Sequence, residues 1–133
     1  MTKRERIYNK FGGLCAYSGT PLEDDWQIEH IDPVIRNWEG TMLFKEADKE
    51  ANMVPVQKLI NHYKHSLSLY EFRLRLMTMP RRLKRLPKNP QTIKGQARKN
   101  YMLKIAGYFG ITENKPFNGV FYFEIFNANN SDF

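Results

Sequence analysis

The chain is poor in cysteine: Cys15 is the single one among 133 residues. One thiol cannot close an intrachain disulfide, so a disulfide scaffold is excluded and a reducing cytoplasm is the expected compartment. No apolar run approaches the roughly 18 residues that a membrane helix needs, and no charged-then-apolar leader opens the chain. Neither a membrane span nor a secretory signal is therefore expected. Internal repeats and low-complexity tracts are also absent. What remains is a chain of one-domain size, and its 41% hydrophobic and 14% aromatic content is enough to build a core.

Acidic residues are scarce in one half only. Residues 1–70 hold 9 Lys and Arg against 10 Asp and Glu, whereas residues 71–133 hold 12 against 4, so the net charge of +7 divides as −1 and +8. The densest stretch is Pro80-Arg81-Arg82-Leu83-Lys84-Arg85-Leu86-Pro87-Lys88. A cationic run is often no more than a solvated face. Beside a site that acts on a polyanion, it tracks phosphates, which positions a backbone without reading its sequence.

Such a site is suggested by Ile28-Glu29-His30-Ile31-Asp32-Pro33, read with Asn52-Met53-Val54-Pro55-Val56-Gln57-Lys58-Leu59-Ile60-Asn61-His62-Tyr63-Lys64-His65. Carboxylate and amide oxygens suit Mg²⁺-like ions, and a neutral imidazole beside them can take a proton from water. Trp26 to Ile31 alternates apolar and polar, as a half-buried strand does. Neighbouring strand residues face opposite ways, so Glu29 and His30 converge only if the chain turns at Asp32-Pro33. Pro55 suits a first helical turn, and Val56, Leu59, Ile60 and Tyr63 form an apolar stripe at helical spacing. Asn61 and His65 then share a face, while His62 points about 100° away. Singly, each residue has an ordinary reading: a solvated Glu–His pair, a surface asparagine, a turn residue at Asn52.

Together, in this order and spacing, residues 11–73 resemble the HNH endonuclease family. The matching pieces are Gly12-Gly13-Leu14-Cys15-Ala16-Tyr17-Ser18-Gly19-Thr20-Pro21-Leu22, Glu29-His30-Ile31-Asp32-Pro33, Asn52-Met53-Val54-Pro55-Val56 and Asn61-His62-Tyr63-Lys64. The resemblance implies an α+β fold with a ββα-metal core, made of a β-hairpin and a metal-binding helix, with added helices and a C-terminal aromatic strand. It also implies DNA cleavage with His30 as general base, Glu29 and Asn61 as ligands of one divalent metal, and Asn52 as a brace for the loop. His65 stands where some relatives add a third ligand. Mg²⁺ or Mn²⁺ suits the oxygen-rich set, and His65 as a ligand would widen the choice to Ni²⁺ or Zn²⁺. Glu at position 29 departs from the commoner Asp or His. Many relatives also carry a zinc held by two Cys-x-x-Cys pairs. Cys15, Ser18, Gln57 and Ile60 hold those positions here, so no structural zinc is expected and apolar packing around Cys15, Tyr17 and Ile60 takes its place.

The implied reaction is one-metal phosphodiester hydrolysis, with Arg36, Lys58 or Lys64 on the phosphate and Arg81, Arg82, Lys84, Arg85 and Lys88 along the backbone. DNA, duplex or branched, is the expected partner ahead of RNA, and a homodimer is left open. The competing reading is a module that keeps the fold and binds nucleic acid without cutting. Beyond the core, Thr2 and Glu5 should open a helix running to about Phe11, and Leu14 to Ile31 should form a hairpin-like segment turning at Gly19-Thr20-Pro21. A long loop should follow over residues 33–51, then the metal helix from Val56 to His65. Ser68 and Glu71 should open another helix, to Met77. Pro80, Pro87 and Pro90 should keep 79–91 extended or looped. Thr92 to Phe109 should be helical, stopping at Gly110. Val120 to Phe126 should be a strand, either in the core or pairing with a partner, with 127–133 frayed.

Overall fold

A computed structural model describes residues 1–32 and 48–130. Those residues form an α+β arrangement of six α-helices and one two-stranded antiparallel sheet. In order they are α1 (Lys3–Asn9), β1 (Gln27–His30), β2 (Met53–Val56), α2 (Lys58–Lys64), α3 (Leu69–Met77), α4 (Met79–Arg85), α5 (Ile93–Tyr108) and α6 (Tyr122–Asn129).

Where a side chain closes a helix start locally, the sequence expectation holds. Thr2 Oγ1 accepts the Glu5 N–H at 3.1 Å and opens α1. Ser68 and Glu71 make a reciprocal capping box for α3, and Thr92 Oγ1 accepts from Gly95 N to open α5. The hairpin differs from expectation. Leu14 and Pro21 share only an isolated bridge, and β1 pairs instead with β2, across the connection that contains residues 33–47. Pro55 does not start a helix. It lies in β2, opposite Ile28, and its carbonyl accepts the Ala16 N–H at 2.8 Å. A proline fits there because a strand of a two-stranded sheet has an edge, where its missing N–H costs no ladder bond.

Two further expectations fail. Residues 79–85 are helical, because Pro80 falls in the first turn of α4, where the lost N–H has no helical partner anyway. Residues 122–129 are also helical, which corrects the aromatic strand and the fraying over 127–129, while 131–133 lie outside the described residues. The Phe121 N–H is accepted by the Glu124 carboxylate at 2.8 Å. Arg73 of α3 then grips that carboxylate through both oxygens, at 2.7 and 2.9 Å.

The core lies between the hairpin and the helices. Tyr17, Phe72 and Phe121 are fully buried, with Phe72 and Phe121 stacked at 5.4 Å and Tyr17 packed edge-on to Phe72. Ile60, Leu76, Met79, Leu83 and Ile105 bring α2, α3, α4 and α5 into the same cluster. Ile7, Trp26 and Met53 form a smaller cluster that seats α1. Among the described residues no helix is long and apolar enough to cross a membrane.

The four positions compared above with the zinc cysteines of HNH proteins are part apolar and part polar. Cys15 and Ile60 are buried in the core. Gln57, also buried, donates to Thr20 Oγ1 at 3.1 Å and Pro21 O at 2.7 Å and accepts from Glu23 N at 3.0 Å. Ser18 Oγ lies 2.7 Å from Thr20 Oγ1. Apolar packing alone is therefore an incomplete expectation: Gln57 clasps the 18–23 turn and fixes the start of α2.

Candidate functional site

The site is built where α2 crosses one face of β1. Alternate residues share a strand face, which puts Gln27 and Glu29 together, and residues three apart share a helix face, which puts Asn61 and Lys64 together. The two faces meet in two rungs. Asn61 Nδ2 donates to Gln27 Oε1 at 2.7 Å, and Lys64 Nζ lies 3.2 Å from Glu29 Oε2. The antiparallel register, Gln27 with Val56 through His30 with Met53, holds β1 in place beneath the helix.

The second rung is buried. Lys64 is fully enclosed, so the expectation that it meets a phosphate is corrected: its ammonium is spent on Glu29 and, at 3.3 Å, on the Ile31 carbonyl. Glu29 Oε1 accepts the His30 N–H at 2.8 Å. Its Oε2 has the Lys64 charge beside it but no aligned hydrogen bond. Burial raises the Glu29 carboxyl above its ordinary value, and the Lys64 charge works in the opposite direction.

His30 takes the other strand face, because β1 runs straight through it. Its Nε2 lies 3.0 Å from Asp48 Oδ1, both side chains being partly exposed. Asn52 ties the two ends of the hairpin connection: its Oδ1 accepts from Asp32 N at 3.0 Å, its Nδ2 donates to Asp32 O at 2.9 Å, and its carbonyl accepts from Ile31 N. These bonds join Asp32 to Asn52 at the two ends of that connection.

Beside the first rung is an open hollow of about 440 Å³ walled by Gln27, Lys58, Asn61, His62, His65 and Ser66. α2 ends at Lys64, and His65 caps it with a left-handed φ of 52°, so the simple i, i+4 alignment with Asn61 is lost. His65 still reaches the hollow, with Nδ1 3.0 Å from Ser66 Oγ. His62 joins it there, contrary to its predicted divergence, and its Nδ1 lies 3.2 Å from Tyr101 OH of α5. The exposed Lys58 forms part of the wall, whereas Glu29 and His30 do not.

Among the described residues, no group of three or more His, Cys, Asp or Glu could hold a metal ion. The carboxylate of the second rung is already matched by the Lys64 ammonium at 3.2 Å, so an ion at this position would have to displace that cation. Glu29 Oε2 is buried, and its neighbour is the Lys64 ammonium.

Arg81, Arg82, Lys84, Arg85 and Lys88 lie in the basic half of the described chain, the first four on α4 rather than on an extended segment. Arg36 lies outside the described residues. Sequence reasoning missed Gln27, Asp48 and Tyr101, which reach the site through contacts between distant parts of the chain. Only the polar position of Gln27, two before Glu29, was a usable signal. No protein-family model, curated protein or solved structure matches this chain.

Proposed function

We propose that the protein is a metal-dependent endonuclease that hydrolyses phosphodiester bonds in DNA. The observation that supports this reading is the junction of β1 and α2, where Glu29, paired with Lys64 at 3.2 Å, directly precedes His30, whose Nε2 lies 3.0 Å from the Asp48 carboxylate on the other strand face. Glu29 and Asn61 would hold the ion, with His65 as the candidate third ligand. A bound Mg²⁺ or Mn²⁺ would supply charge stabilisation at the phosphate and the leaving 3′ oxygen. His30 acts neutral. With Nε2–H donated to Asp48, Nδ1 is the basic nitrogen that takes a proton from the attacking water. The Asp48 carboxylate then steadies the imidazolium that forms. Lys58 and His62, both on the hollow, contact the substrate backbone. By the family resemblance, the product carries a 5′ phosphate.

One observation favours the second reading, a nucleic-acid-binding module that does not cut. The Lys64 ammonium already supplies Glu29 with a cation. Supercoiled plasmid incubated with each divalent metal in turn separates the two. The nuclease reading expects nicked or linear product with Mg²⁺ or Mn²⁺, lowered by roughly 10² or more in His30→Ala, with DNA binding retained. Retarded but intact plasmid under every metal would establish the second reading. Calorimetry on Glu29→Ala and Asn61→Ala tests the ligands, since unchanged Mg²⁺ affinity in both removes them from the site.

A further inference from the structure

The basic half of the chain contains a formed hollow as well as a charge excess. Arg82 and Arg85, three apart on α4, and Arg98 of α5 line a depression of about 330 Å³ together with Leu86, Pro87 and Met102. That volume lies at the lower end of the range of about 300–1,000 Å³ typical of ligand sites. Arg98 stands outside the dense run at 81–88, and only the packing of α5 on α4 brings it there.

Several features bear on these guanidiniums. Among the described residues none of the three is ion-paired, whereas Arg6 and Arg73 each hold a carboxylate at 2.7 Å. Three like charges around one depression repel one another, and a multiply accepting anion relieves that repulsion. Leu86 and Met102 add apolar surface beside the three exposed guanidiniums. Finally, Arg82 Nη1 donates to Tyr63 OH at 3.0 Å, which fixes one fork and ties the depression to α2, the helix of the candidate site.

We propose that this hollow grips one phosphodiester group of a nucleic-acid backbone through Arg82, Arg85 and Arg98, with planar guanidinium forks engaging the phosphate oxygens. The inference deepens the proposed nuclease reading by naming a phosphate-holding site remote from the hydrolytic residues, and it rests on that reading for the identity of the ligand. Arg81 and Lys84, on the same helix but not in the wall of the hollow, contribute only diffuse charge.

The test measures binding of a fluorescent DNA duplex at fixed salt in a His30→Ala background, so that cleavage does not enter. Arg85→Ala and Arg98→Ala should each weaken binding roughly tenfold, as loss of a charge-assisted hydrogen bond does. Arg81→Ala and Lys84→Ala remove the same charge and should change affinity by no more than about twofold to threefold. Arg98→Lys keeps the charge and loses the fork, so it should resemble Arg98→Ala. Equal losses at all four positions, a wild-type Arg98→Lys, or no duplex binding by the parent protein would each overturn the inference. A protein that cuts nothing yet shows the position-dependent losses would leave this site standing while the nuclease reading falls.

Discussion

At the scale of single residues, Lys64 matters most and is the least expected from sequence. Lysine is almost never fully buried unless paired, and here its partner is the carboxylate on which the proposed metal site depends. Removing one member of a buried pair strands the other, so Lys64→Met should lower unfolding free energy by about 3–5 kcal/mol, with much of the loss recovered in Lys64→Met/Glu29→Gln. Denaturant titration of the parent, the single and the double variant measures this, and a near-neutral single variant would show the pair to be unimportant. The same variant bears on function. An ion and an ammonium compete for one oxygen, so Mg²⁺ should raise the melting midpoint of Lys64→Met more than that of the parent. An equal rise in both would take Glu29 out of the ligand set. The residue types Glu29, Asn52 and Asn61 were legible because their order and spacing are local features of the sequence. The pairing of Lys64 was not, since nothing in a sequence marks a helical cation as facing a strand instead of water.

At the scale of elements, legibility follows the range of the interaction that decides each one. Thr2, Ser68 and Thr92 start helices through bonds to residues three positions on, and all three starts were readable. Aromatic composition makes residues 120–126 look like a strand, but Arg73 closes on Glu124 from a different helix and Phe121 enters a cluster already holding Tyr17 and Phe72. Pro80 reads as a breaker because its position relative to a helix start depends on where α3 ends. The Arg73–Glu124 clamp has a pH signature. The hydrogen bonds from Arg73 hold the Glu124 carboxyl below its ordinary value. The folded state therefore binds that proton less readily than the unfolded chain, so the clamp stabilises above the ordinary carboxylate range and its contribution is lost as pH falls through the depressed value. Glu124→Gln should cost roughly 1–2 kcal/mol near neutrality and flatten the acid limb of a stability–pH curve. Parallel acid limbs in the two proteins would refute the assignment.

At the scale of the whole molecule, the division of charge between −1 and +8 falls along the order of the elements. The hairpin and α2 carry the candidate chemistry, while α4 and α5 carry the densest cationic run and Arg98. Neutralising Arg81, Arg82, Lys84 and Arg85 together should weaken DNA binding about equally across sequences. For every phosphate no longer neutralised, the slope of log affinity against log salt should flatten by roughly 0.9. Binding of two unrelated duplexes at several salt concentrations checks both points: an unchanged slope would make α4 a solubilising face, and a sequence-dependent loss would make it a reader of bases. The way the chain closes on itself has a consequence for its synthesis. Tyr122 and Phe123 donate their backbone N–H groups to Tyr17 and Ala16, and Phe121 stacks on Phe72 in the centre of the core. The segment carrying Glu29, His30 and Asn61 therefore leaves the ribosome long before the residues that lock it in place. A nascent chain cut short before Phe121 would display every proposed catalytic group on an unconsolidated scaffold, so competence should come only after translation has passed α6.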